Sequence, residues 1–171
     1  QHKGQYRKNN KTPYWHHLQD VVKNLEMMGI KDESILCSGW LHDSIEDTSS
    51  DFDDVSKNFG KKIAQIVSDL TKETRLPKNP QEKNYLKQLS TSSWQAKVVK
   101  FADILANISD LKNSELNKKQ KIVQVKYKIK YLSAIKSGII ENKTKIPNLS
   151  QAENMLNLVL KQYGQRKIIL S

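Results

Sequence analysis

The segment HDSIEDT, His42 to Thr48, follows an apolar run, yet His42, Asp43, Glu46 and Asp47 are all ionisable. On a helix His42 and Glu46 stand one turn apart, as do Asp43 and Asp47. An imidazole and an adjacent carboxylate offer a divalent metal one nitrogen and one oxygen, with Glu46 and Asp47 near the metal's open face. Burying this cluster without a metal or partners would cost several kcal/mol per charge; the competing reading is a frayed helix end with solvated acids. Two further places supply what a metal would still need. His16 and His17 stand at the start of the first predicted helix, where one can face inward and the other outward. Asp103 lies in KVVKFADILAN, flanked by Phe101, Ala102, Ile104 and Leu105. A carboxylate there has poor helix propensity and an expensive environment, which a cation would compensate. Two His and two Asp from separated helices make a mixed nitrogen and oxygen site suited to Mn(II), Fe(II) or Zn(II), and too nitrogen-rich for Ca(II).

The elements that must position these residues read as helices. The 171 residues suit one domain, and six Gly and four Pro leave little punctuation for the turns of a sandwich or barrel. Thr12 and Pro13 predict a helix start, followed by the stripe Leu18, Val21, Val22, Leu25, Met28 and a stop at Gly29. Asp32 and Asp51 are candidate caps of the next helices, and Gly60 separates Phe59 from a stripe at Ile63, Ile66, Val67 and Leu70. A polar loop is expected from Thr71 to Pro80, then helices over Gln81–Leu89, Trp94–Leu111, Lys118–Ser137 and Gln151–Tyr163. The fold class is therefore all-α, a helical bundle. No run approaches the ~18 apolar residues of a transmembrane helix. The single Cys37 excludes an internal disulfide and a Cys-rich zinc site, so a reducing compartment, the cytoplasm, is expected.

Lys plus Arg number 29 against 18 Asp plus Glu, a formal net charge of +11 that favours an anionic partner. Nucleic acid, a membrane surface and a phosphorylated small molecule all qualify on charge alone. The basic stretch Lys118 to Lys136 interleaves its lysines with Ile122, Val125, Ile129 and Leu132. This pattern predicts a helix that packs on the core and lends one face to a small-molecule pocket, rather than a nucleic-acid surface.

Four segments carry a wider likeness. HKGQYRKNNKTPYWHHL, GWLHDSIEDT, FGKKIAQIVSDLTK and KVVKFADILAN, in this order, closely resemble the HD-domain alarmone hydrolases, the hydrolase half of Rel/Spo proteins and their small stand-alone relatives. The resemblance covers about Gln1 to Tyr131. It implies an HD-domain bundle with a central metal site, in which one Mn2+ serves removal of the 3′-pyrophosphate from ppGpp and pppGpp. The expected organisation is a single domain over residues 1–171, with 139–171 as a helical extension and the family's preceding helix missing ahead of Gln1.

By resemblance His17, His42, Asp43 and Asp103 match the metal ligands, and Glu46 and Asp47 the acidic pair that positions or activates water. Arg7 and Lys8 match basic residues beside the substrate phosphates and base. Asn107 matches a ribose contact, and Tyr127 a pocket tyrosine, with Tyr131 close enough to be the equivalent. Where the family reads Asp-Arg/Lys-Leu-His/Tyr-Asn, this chain has Asp103, Ile104, Leu105, Ala106 and Asn107, so altered phosphate or base contacts are expected there. The competing readings are a relative acting on ppApp-type alarmones or the 2′-phosphate of NADPH, and a catalytically idle module that binds nucleotide. The retained Glu46 and Asp47 argue against the idle module, since a pure binder needs no water-activating acids. A small nucleotide is the expected partner, with no nucleic acid and no membrane, and the oligomeric state stays open.

Overall fold

Side-chain caps fix the starts of four of the helices among the described residues. In the computed structural model, which describes residues 4–7, 12–75 and 77–171, nine α-helices run through the described residues. They are α1 (Trp15–Met27), α2 (Glu33–Leu41), α3 (Ser44–Asp47), α4 (Phe52–Phe59), α5 (Lys61–Leu70), α6 (Lys78–Thr91), α7 (Trp94–Asp110), α8 (Lys118–Glu141) and α9 (Leu149–Gln162). Asp32 caps α2 by accepting the Ser34 amide at 2.8 Å. Asp51 with Asp54, and Asn117 with Gln120, form reciprocal capping boxes on α4 and α8. Gly60 turns between α4 and α5 at φ +89°, a conformation open to glycine at little cost.

Several boundaries differ from the sequence reading, α8 for one running on to Glu141. Helix α1 starts at Trp15 because Thr12 and Pro13 are drawn into an extended pair with the N-terminal segment: Pro13 bridges Tyr6, the Arg7 amide donates to Thr12 O at 2.8 Å, and the Tyr14 amide to Gln5 O at 3.0 Å. Helix α6 starts at Lys78, inside the expected loop. Pro80 falls in its first turn, where amides have no intrahelical acceptor to lose. The HDSIEDT segment is not one helix either. Ser44 Oγ donates to Leu41 O at 2.7 Å, and His42 Nδ1 lies 2.8 Å from Gly39 O. These side-chain bonds satisfy carbonyls at the end of α2, and the chain restarts as α3 one residue beyond Asp43.

Helix α7 is the axis of the bundle. Every residue from Ala96 to Ala106 is buried, and α7 packs against α1, α2, α5, α8 and α9. Phe101 and Leu105 share one core with Leu25 of α1, Ile35 of α2, Leu132 of α8 and Leu156 of α9. A smaller cluster of Val55, Ala64 and Val67 joins α4 to α5 beneath Leu41 and Ile45. Each fully buried aliphatic or aromatic side chain contributes roughly 1.5–3 kcal/mol, so the buried face of α7 dominates the stability of the bundle. None of the helices among the described residues is long and apolar enough to cross a membrane.

Gly39 brings α2 close to α1: a Cβ there would lie 2.8 Å from Leu25 Cδ1 and 3.2 Å from Val22 Cγ2. The same glycine supplies the carbonyl that faces His42. Gly39→Val should therefore destabilise the protein by ~1–3 kcal/mol through overpacking. A fall in the urea midpoint at unchanged m-value measures this, and an unchanged midpoint would refute the close approach.

Candidate metal centre and adjoining cavity

His17 of α1, His42 at the end of α2 and Asp103 of α7 converge in the interior, with exposures of 3%, 2% and 3%. One donor atom from each lies within 4.8 Å of the other two. Asp103 Oδ1 is 3.3 Å from His17 Nε2 and 3.8 Å from His42 Nε2. Asp43 adjoins the same two nitrogens, its Oδ2 lying 3.8 Å from His17 Nε2 and 3.0 Å from His42 Nε2. His16 turns away and stacks on Trp15 with ring centroids 3.8 Å apart. Of the two adjacent histidines, His17 is the inward one.

Neighbouring polar groups orient these side chains. His42 donates from Nδ1 to Gly39 O, which turns its Nε2 toward the carboxylates. Lys100 Nζ donates to Asp103 Oδ2 at 2.8 Å, and Asn107 Nδ2 donates to Asp103 Oδ1. Tyr14 donates its hydroxyl to Asp43 Oδ2. Burial raises the Asp103 pKa, but the Lys100 ammonium outweighs it and holds the carboxyl well below the usual range. Burial lowers His42, while Asp43 and Asp103 outweigh it and raise this imidazole to about 9. At His17 burial wins over the pull of Asp103, and the pKa falls.

The centre fits a divalent cation. Among the described residues, His17 Nδ1 and His42 Nε2 are buried with no hydrogen-bond partner. A buried imidazole nitrogen aimed at two carboxylates is a costly arrangement that coordination would relieve. The donor set of two imidazoles and up to two carboxylates suits borderline transition ions.

A cavity of about 420 Å³ opens beside the centre. Glu46 and Asp47 of α3 line it together with Asp43, and Glu46 Oε2 accepts the Lys72 amide at 3.0 Å. Burial raises the Glu46 carboxyl pKa. Arg7 lines the cavity too, its Nε and Nη2 donating to Asp110 Oδ2 at 3.2 and 2.7 Å. Asn107 contributes from α7, while α8 presents Gln124, Tyr127, Lys128 and Tyr131, one helical face at i, i+3, i+4 and i+7. Both candidate tyrosines therefore reach the cavity; Tyr127 is half-buried and Tyr131 fully buried, and their hydroxyls both donate to Glu82 Oε2. Lys8 lies outside the described residues.

Ile104 and Ala106 do not line the cavity; they are 1% and 7% exposed and pack in the core, while α7 turns Asp103, Asn107 and Ile108 to the cavity. Sequence reasoning also passed over Tyr14, Lys72 and Lys100. Lys100 carried the same signal as Asp103, a charge within an apolar helix three residues away. Lys72 carried none, since its place beside Glu46 depends on how the segment after α5 folds back.

A family model described as an HD domain matches residues 1–140. Over 113 residues the chain is 38% identical to guanosine-3′,5′-bis(diphosphate) 3′-pyrophosphohydrolase MESH1 of Xenopus tropicalis, covering 65% of this chain and 63% of that protein. It is 38% identical over 112 residues to MESH1 of Homo sapiens, covering 64% and 63%. The aligned part thus spans less than two thirds of these curated relatives. Among solved structures, a metazoan ortholog of SpoT that hydrolyses ppGpp is similar with a TM-score of 0.77 at 29% identity, covering 96% of this chain and 90% of that one.

Titrating metal-stripped protein with Mn2+ should raise its melting temperature, since an ion bound only by the folded state stabilises by ~2.7 kcal/mol at a hundredfold excess over Kd. The rise should disappear in His17→Gln and Asp103→Asn and persist in His16→Gln. A shift lost in His16→Gln but kept in His17→Gln would refute the inward assignment.

Proposed function

The chain belongs to the HD-domain family, and from that premise we propose that it is a metal-dependent hydrolase of guanosine alarmones, converting ppGpp and pppGpp to GDP and GTP with release of pyrophosphate. The observation that carries this reading is the buried His17, His42 and Asp103 cluster beside Glu46 and Asp47 on a cavity lined by basic side chains. The names of the relatives support the choice of substrate. We read residues 1–171 as one unit, with α9 and Leu170 contributing to the common core. The lone Cys37, half-buried and free, supports a cytoplasmic setting.

His17, His42, Asp43 and Asp103 would hold Mn2+, which supplies Lewis acidity toward a phosphoryl oxygen and acidifies the attacking water. Glu46, anchored by the Lys72 amide, has a pKa raised by burial. A carboxylate tuned toward neutrality is the better acceptor for the proton that water loses on attack. Asp47 adjoins it and would orient the same water. Arg7 would exchange Asp110 for a substrate phosphate, assisted by Lys8, because a guanidinium matches phosphate bidentately. Asn107 would meet the ribose and Tyr127 would stack on the base.

A nucleotide screen over ppGpp, ppApp, NADPH and common triphosphates, with and without Mn2+, tests the reading by product identity. Pyrophosphate release from ppGpp is expected to dominate; phosphate release from NADPH alone, or tight ppGpp binding without turnover, would overturn it. Glu46→Gln and Asp47→Asn should lower kcat by about 100-fold or more while metal content stays near wild type. Full activity in both variants would show that the proton leaves by another route.

A further inference from the structure

Four Arg or Lys side chains line the cavity among the described residues: Arg7, Lys72, Lys100 and Lys128. Three of them are already engaged. Arg7 is held by Asp110, and Lys100 by Asp103 at 2.8 Å. Lys72 donates to the Tyr131 hydroxyl at 2.5 Å and stands 3.9 Å from Glu82 Oε2, with the Tyr85 and Tyr131 rings 4.9 and 4.8 Å away. Lys128 differs. Among the described residues it has no hydrogen bond and no ion pair, and its ammonium meets only the face of Tyr131, 5.7 Å from the ring centroid.

The surroundings explain why no protein anion satisfies it. Asp103 attracts Lys128, but its two oxygens are taken by Lys100 and Asn107 and face the two imidazoles. Burial pushes the Lys128 pKa down to about 8, with the Asp103 carboxylate opposing and the Lys100 ammonium assisting. A half-buried cation that borders a cavity and has no ion pair or hydrogen bond is costly unless a ligand supplies an anion in contact with it. Its position on α8, between Tyr127 and Tyr131 on the cavity face, is set by the packing of α8 on α7 and α6.

We propose that Lys128 is a phosphate-binding residue of the cavity, donating to a non-bridging oxygen of the diphosphate group on which the hydrolysis acts. The inference rests on the hydrolase reading and deepens it. A diphosphate ester carries more charge and more acceptor oxygens than a phosphate monoester, so Lys128 selects the former over a 2′-phosphate. During hydrolysis the water oxygen bonds to phosphorus as the bond from phosphorus to the ribose oxygen breaks; the water gives up a proton to Glu46, the ribose oxygen gains one to become a hydroxyl, and the pyrophosphate keeps its negative charge. Lys128 neutralises part of that charge without gaining or losing a proton.

Calorimetric titration with inorganic pyrophosphate and with orthophosphate, at constant free Mn2+ and again on metal-free protein, tests this without requiring turnover. Lys128→Met and Lys128→Gln should weaken pyrophosphate binding about tenfold or more and orthophosphate binding by less, as expected for loss of one charge-assisted contact. Lys128→Arg should recover most of the affinity. Lys119→Met, the same charge change at an exposed site of α8, controls for the general field. Met and Gln variants that bind pyrophosphate as tightly as Lys119→Met would overturn the proposal, as would wild-type protein that does not bind pyrophosphate. Pyrophosphate binding that depends on Lys128 in a protein inert toward every nucleotide would support the subsite and remove the hydrolase reading. Turnover of ppGpp with pyrophosphate binding indifferent to Lys128 would do the reverse.

Discussion

A carboxylate in the middle of the most buried helix is the constraint around which this molecule is arranged. An uncompensated charge at Asp103 would cost several kcal/mol, a large part of the net stability of a domain this size. Compensation comes from three directions. Lys100 pairs with one oxygen from the preceding turn, Asn107 from the following turn holds the other, and His17 and His42 approach from α1 and α2. The helices that supply these groups are also those that bury α7, so the packing that stabilises the fold and the convergence that builds the centre are the same event.

That arrangement leaves the polar side of α7 facing a cavity of mixed charge. Acids from α3 and bases from α7, α8 and the segment after α5 meet there without cancelling one another. Glu46 is fixed by the Lys72 amide, and burial raises its pKa against the lowering pull of that hydrogen bond. Lys72 is steadied by tyrosine rings and a hydroxyl, and sits among electron-rich faces that favour a cation. Such a site sets carboxylates and cations side by side, an arrangement that the proposed hydrolysis of a charged ester would use.

The N-terminal segment closes one side of the cavity. Its extended pairing through Tyr6 and Pro13, the Gln5 bond to Asp47 O at 2.8 Å and the Arg7 bond to Asp110 tie it to the start of α1, to α3 and to the end of α7. The same pairing delays the start of α1, so His17 comes in its first turn, with Tyr14 at the cap and bonded to Asp43.

Much of this was legible in the residues themselves. Caps at Asp32 and Asp51, the stripe of α1 and the apolar run of α7 follow from rules that act within a few residues, and local chemistry suffices to read them. The ionisable group of HDSIEDT and the lone Asp103 stood out for the same reason, because desolvation penalises them in any packing. What depends on direction across elements was decided only in three dimensions. Adjacent residues on a helix point about 100° apart, so only the packing of α1 on α7 selects His17 over His16. Likewise Ile104 and Ala106 turn into the core while Asn107 turns to the cavity, and both Tyr127 and Tyr131 reach it from α8. The unpaired ammonium of Lys128 was hidden in a run of similar lysines, because a missing partner is a property of what surrounds a side chain, and the chain order does not record its surroundings.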